Sequence, residues 1–122
     1  MALEPTAMFL SILLASRTQA HIYHLQTASY AQHIALEEYY NEIVDLIDDY
    51  AEVCQGLHGL IIGYKVPQEY IEDGNPIKYF TEIRDFLSRI DDVLDDEDEL
   101  VSIRDDIKTL VSKTLYKLSN LS

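Results

Sequence analysis

The chain has 122 residues, 48% of them hydrophobic, which is enough for one domain with one core. Its formal net charge is −13, and because such a surface repels phosphate backbones, we expect no nucleic-acid binding. The acidic balance suits cations instead, either metal ions or a basic protein partner. A single cysteine, Cys54, excludes an intrachain disulfide framework and suits a reducing compartment.

An apolar run at 8–15 could be mistaken for the core of a signal peptide, but it follows Glu4 rather than basic residues. It is also too short to span a bilayer, so we expect no membrane segment. We interpret the run as the buried face of a first helix, from about Pro5 to Thr27. The expected location is cytoplasmic, in a bacterium or, for a virus-encoded protein, in the host.

The second predicted helix runs from about Tyr30 to Leu57, after a break at the cap-forming residues Thr27 and Ser29. Residues 60–76 are irregular, and a third helix follows Pro76. An acidic run at 95–99 marks the turn into a fourth helix, where carboxylates favour the N-terminal dipole. Four helices with one long connection in the middle predict an all-α, ferritin-like four-helix bundle, formed as a single domain by residues 1–122.

Histidine and acidic residues share one side of the second predicted helix. At about 100° per residue, His33, Glu37, Asp48 and Glu52 fall within a sector of roughly 100° that borders the apolar stripe. We therefore expect partial burial, and buried carboxylates need protons, partners or a metal. His21 lies on the first helix near the break, where it could face the second helix or another subunit. Other acidic residues fall farther around the helix and are assigned to solvent: Glu38, Glu42, Asp45 and Asp49.

Together these residues offer two imidazoles and three carboxylates, a donor set suited to Fe(II), Mn(II) or Zn(II). Their spacing, His21-x11-His33-x3-Glu37-x10-Asp48-x3-Glu52, resembles the ligand pattern of the Dps-type mini-ferritins. That pattern is His-x11-His-x3-Asp-x10-Asp-x3-Glu, so Glu37 stands in place of an aspartate. The resemblance is confined to the first two predicted helices.

The resemblance implies an iron site at a twofold contact within a homo-oligomer. His21, His33 and Glu37 would come from one copy, and Asp48 and Glu52 from the other. Iron(II) would be oxidised there by peroxide or dioxygen, as in a ferroxidase, and the ferric product stored inside a hollow shell. The basic N-terminal tail that many mini-ferritins use to hold DNA is missing, so DNA binding is not carried over.

A second hypothesis is a non-catalytic, ferritin-like helical protein that uses its acidic surface to bind another protein or to build an assembly. Short acidic chains of this pattern also resemble uncharacterised proteins of tailed bacteriophages. The two hypotheses differ in one requirement, because only the first needs all five ligands to converge across a contact between copies.

Three further residues have two interpretations each. His24 is either a partner that orients His21 or, as we favour, an ordinary surface histidine. Cys54 and His58 are four residues apart and could form half of a metal pair. Because the sequence shows no two further ligands beside them, we favour core packing for Cys54 and a helix-end position for His58.

Overall fold

The structure is a computed structural model that describes residues 3–72 and 74–121. Within those ranges the chain forms helices and no strand, so the all-α prediction is confirmed. A 3-10 turn at Asp91–Val93 extends the third helix. The four helices are α1 (Leu3–Gln26), α2 (Tyr30–His58), α3 (Pro76–Ile90) and α4 (Asp98–Asn120).

The helices pack as a bundle around α2, which contacts both α1 and α4, while α3 packs mainly on α4. Large, fully buried side chains from all four helices form the core, and α1 alone buries apolar residues on much of its circumference. This agrees with the predicted four-helix bundle. None of the described helices has the length and apolar content needed to cross a membrane. Core residues include Phe9, Leu36, Tyr39, Ile43, Phe80 and Ile107.

The connection between α2 and α3 runs beside α1 in the same direction. The backbone N–H of Lys65 donates to Ser11 Oγ at 2.9 Å. Further along, the Gln19 amide pairs with the backbone of Ile71 in both directions, at 2.9 and 2.7 Å. The chain therefore returns from one end of the bundle to the other before α3 begins, which is the predicted long crossing connection.

Short polar side chains and one glycine set the helix ends. Ser29 has an extended backbone, and its hydroxyl accepts the backbone N–H of Gln32, so α2 starts one residue after the predicted break. Gly59 ends α2 with a φ of 95°, a conformation that L residues rarely adopt. Asn75 caps α3, with Pro76 in its first turn.

Two tyrosine hydroxyls form hydrogen bonds in the interior of the bundle. Tyr39 and Tyr50 are fully buried. The Tyr39 hydroxyl lies 2.7 Å from Ser16 Oγ, and the Tyr50 hydroxyl accepts a hydrogen bond from Arg104 Nη1 at 3.0 Å. Burial raises the pKa of both tyrosines, and these hydrogen bonds offset part of the effect. Polar residues of α1 and α4 thus provide the hydrogen-bond partners of these buried hydroxyls.

Candidate metal centre

The turn between α1 and α2 brings His24 and His33 face to face. Their ring centroids are 3.6 Å apart, with an interplanar angle of 23°. Nδ1 of His24 lies 2.8 Å from the backbone oxygen of His33, and Nδ1 of His33 lies 3.0 Å from that of His24. Because a carbonyl oxygen only accepts hydrogen bonds, each Nδ1 carries a proton. In the neutral ring, Nε2 is then left with the free lone pair.

Glu37, one helical turn after His33, adds a carboxylate to this pair. One ligand atom from each of His24, His33 and Glu37 lies within 4.8 Å of the other two. His33 and Glu37 are half-buried, as their position beside the apolar stripe predicted. Two imidazoles and one carboxylate form a donor set that Fe(II) accepts with coordination positions left open. We call these three residues the turn site.

His24 corrects one prediction. The sequence favours an ordinary surface histidine, but this side chain is only 8% exposed and contributes the second imidazole of the turn site. Its hydrogen bond to a backbone carbonyl is the usual arrangement that orients a metal-binding imidazole. The sequence offered His21 and His24 three residues apart, and packing brings the second of them against His33.

His21 lies beside the turn site rather than within it. Its side chain is exposed and stacks on Tyr40, with ring centroids 4.5 Å apart and an interplanar angle of 24°. It also meets the edge of the His24 ring at 5.9 Å. The role of His21 as a metal ligand stays a prediction.

Asp48 and Glu52 are exposed on α2, so the partial burial predicted for them is not found within one chain. They follow Glu37 by 11 and 15 residues, which places them roughly 16 and 22 Å farther along the helix. One chain therefore does not bring them to the turn site. Their role as ligands requires a second copy and stays a prediction. The acidic residues assigned to solvent are exposed as expected: Glu38, Glu42, Asp45 and Asp49.

A second group of ligand-type residues lies at the opposite end of α2. Nε2 of His58 is 2.8 Å from Glu97 Oε2 and 3.4 Å from Asp95 Oδ2. Cys54 is buried in the core and His58 ends α2, as expected. Burial raises the pKa of the Cys54 thiol, and the nearby charge of Asp95 adds to the shift. Asp95 and Glu97, in the turn before α4, thus join His58, and Cys54 is not part of this group.

The sequence does not indicate that His58 pairs with these acids, because they follow it by 37 and 39 residues. The only signal was the acidic run at 95–99, which we interpreted as a helix start. That interpretation holds for Asp98 and Glu99, which lie in the first turn of α4.

Comparison with known proteins places the chain in a family. A family model matches residues 24–118, a range that contains both groups of ligand-type residues. The chain belongs to DUF5856, a family of unknown function. An uncharacterized 14.6 kDa protein from the mobD-ri intergenic region of Enterobacteria phage T4 is 28% identical over 119 residues. The aligned region covers 91% of this chain and 85% of the phage protein.

The DUF5856 match and the phage relative confirm the broader part of the sequence resemblance, that to small bacteriophage proteins. Neither of them is described as a mini-ferritin. No solved structure gives a significant match. The mini-ferritin resemblance therefore rests on the ligand spacing in the sequence.

Proposed function

We propose that this protein binds Fe(II) at the turn site and that two copies together oxidise it, in the manner of a mini-ferritin. The observation that carries the proposal is the reciprocal hydrogen bonding of His24 and His33 beside the Glu37 carboxylate. Mn(II) and Zn(II) suit the same donor set and are competing ions.

The imidazoles of the turn site are oriented before any ion arrives. Each ring is held by a backbone carbonyl and by stacking on the other ring, so little side-chain freedom remains to be lost on binding. Coordination needs neutral imidazole, so the affinity should fall as the pH is lowered. The net charge of −13 adds a long-range attraction for cations.

A second copy supplies the remaining ligands in this proposal. Asp48 and Glu52 are exposed on α2 and free to meet another molecule. In a twofold contact each surface is used once by each copy, so one dimer forms two equal sites. Carboxylates are hard ligands that favour Fe(III) over Fe(II), which pulls the oxidation forward.

The oxidation itself needs little from the protein beyond holding two iron ions near the oxidant. Two Fe(II) ions each lose one electron, and one hydrogen peroxide takes up both electrons and two protons to give two water molecules. The ferric ions formed are the product to be stored. The chain's own contribution is to bind the iron substrate and to stabilise the higher charge of the product with carboxylates.

Anaerobic titration with Fe(II), followed by peroxide, tests the proposal. Ferric absorbance reports oxidation, and native mass reports the oligomer. We expect saturable binding that His33→Ala and Glu37→Ala remove, since each deletes a ligand. Asp48→Ala should slow oxidation, whereas Asp49→Ala, the removal of the neighbouring exposed carboxylate, should leave it unchanged. Equal effects of Asp48→Ala and Asp49→Ala would exclude a specific role for Asp48 as a ligand.

A matched pair of variants separates the two candidate imidazoles. His24→Ala should abolish Fe(II) binding if His24, His33 and Glu37 bind the ion together. His21→Ala should do so if the ligand spacing describes the bound state. Binding that survives both substitutions would refute an iron site at this end of the bundle.

A second candidate function, an interaction protein without catalysis, is favoured by the connection between α2 and α3. Leu60 and Ile62 are 71% and 69% exposed, and Tyr70 is 53% exposed. Neighbouring exposed apolar residues often mark a protein contact. Cross-linking in cells would test this candidate, with loss of the cross-linked partner expected in a Leu60→Ser/Ile62→Ser variant that still folds and binds Fe(II).

A further inference from the structure

His58, Asp95 and Glu97 form a compact group at the end of the bundle opposite the turn site. One ligand atom from each lies within 4.8 Å of the other two. His58 is the last residue of α2, and the two acids lie in the turn between Val93 and α4. We call this group the far site. His58 follows His33 by 25 residues, roughly 38 Å along α2, so the two sites cannot share an ion.

Two carboxylate oxygens of the far site are buried without a hydrogen bond from the described part of the chain. Asp95 Oδ2 and Glu97 Oε1 are both buried, and neither accepts a hydrogen bond from residues 3–72 and 74–121, although His58 Nε2 lies 3.4 Å from Asp95 Oδ2. A buried carboxylate oxygen is costly unless it is paired. His58 approaches both acids through the same atom, Nε2, which can donate to only one of them at a time.

The Glu97 side chain does not cap α4, although the residue stands at the N-cap position. It is the residue immediately before α4, yet its side chain makes no capping hydrogen bond to the helix. A carboxylate in that position ordinarily gains stability from the free backbone N–H groups of the first turn. Here it points to His58 instead, at 2.8 Å.

The backbone of the turn that contains Asp95 and Glu97 is held by hydrogen bonds that do not involve the side chains of these two acids. Arg104 Nη1 donates to the backbone oxygen of Asp95 at 2.8 Å and to the Tyr50 hydroxyl at 3.0 Å. Arg104 Nε donates to Asp91 Oδ1 at 3.0 Å. The backbone is therefore fixed, and the Asp95 and Glu97 carboxylates remain available to a ligand.

We propose that the far site binds Zn(II), or a similar borderline divalent ion, through His58 Nε2 and one oxygen each from Asp95 and Glu97. Three protein ligands and a water molecule complete the four-coordinate geometry that zinc prefers. The ion neutralises two acids in a strongly acidic turn and ties the end of α2 to the start of α4. The site is independent of the iron site and of its proposed function.

Calorimetric titration with Zn(II) tests the proposal in a His24→Gln/His33→Gln protein, which lacks the turn site. We expect one ion per chain, with affinity reduced at least about tenfold by His58→Gln, Asp95→Asn or Glu97→Gln. Asp96→Asn is the matched control, because it removes an exposed carboxylate from the same turn. Equal losses in Asp95→Asn and Asp96→Asn would overturn the proposal, since general attraction to the acidic turn would then explain the binding.

A measurement on the unsubstituted far site guards against variants that fail to fold. Of the four histidines of the chain, the double-variant background retains only His21 and His58. Paramagnetic Mn(II), added in small amounts, should broaden the ring resonances of His58 before those of His21. Equal broadening of both, or of neither, would leave His58 as an ion-pair partner of the two acids and refute the metal site.

Discussion

The two ends of α2 present histidines in opposite situations. At the turn site, His24 and His33 each satisfy Nδ1 with a carbonyl only nine residues away. At the far site, His58 meets acids 37 and 39 residues farther along, two of whose oxygens are buried without a hydrogen bond from the described residues. The turn site is thus organised by a local turn, whereas the far site depends on tertiary packing. Changes in the rest of the bundle should therefore weaken metal binding at the far site and leave metal binding at the turn site intact.

The largest expected effect comes from removing Arg104, the buried cation that holds the far turn. Arg104→Leu leaves the Tyr50 hydroxyl and the Asp95 carbonyl without their donor, and the Asp91 carboxylate retains only Lys108. We expect a loss of about 3 kcal/mol in the free energy of unfolding, measured by urea denaturation. Zn(II) binding at the far site should fall, and Fe(II) binding at the turn site should persist in protein that remains folded.

Arg84→Leu provides the control for that change, because Arg84 is exposed on α3. Its cost should stay within about 0.5 kcal/mol. Similar losses in the two variants would mean that the buried network contributes no more than a surface arginine.

The second-largest expected effect is a loss of bundle stability at alkaline pH, caused by the ionisation of Tyr39. Burial raises its pKa above that of the unfolded chain. The stabilisation is therefore fully present below pH ~10 and is lost as the pH rises toward the folded pKa, at about 1.4 kcal/mol per pH unit. Unfolding by urea at several pH values measures the slope. A Tyr39→Phe variant should reduce it, whereas Tyr116→Phe, at an exposed position, should not.

The local nature of the turn site can be tested at its cap. Ser29→Ala removes the acceptor for the Gln32 N–H and should cost about 1 kcal/mol of stability. Fraying of the first turn of α2 should weaken Fe(II) binding and leave Zn(II) binding at the far site unchanged. Ser102→Ala serves as the control, because Ser102 is solvent-exposed and lies away from the ends of α4. An equal loss of both metals in Ser29→Ala would contradict independent sites.

The features that the sequence predicted correctly depend on nearby residues. Thr27 and Ser29 marked the α1–α2 break, Pro76 marked the start of α3, and the spacing of His33 and Glu37 placed both on one side of α2. Helix periodicity carries this information because residues three and four apart are neighbours.

The features that it missed depend on tertiary contacts. His21 and His24 are both within reach of the turn, and the sequence does not show which of the two rings meets His33. The pairing of His58 with Asp95 needs the whole return path through the connection and α3. Arg104 was unremarkable in the sequence, since charged residues usually face solvent, yet it is only 6% exposed.

The smallest expected effect comes from Lys117, a partly exposed cation on the same helix as the buried Arg104. Lys117 Nζ lies 3.1 Å from Glu38 Oε1, and thus links α4 to α2 near the turn site. Their side chains are 35% and 49% exposed, so water screens the attraction and the pair should contribute less than about 0.5 kcal/mol. A double-mutant cycle with Lys117→Ala and Glu38→Ala measures this coupling, which should shrink further in high salt. A coupling as large as the Arg104 effect would show that distance, rather than burial, governs how charges join α4 to α2.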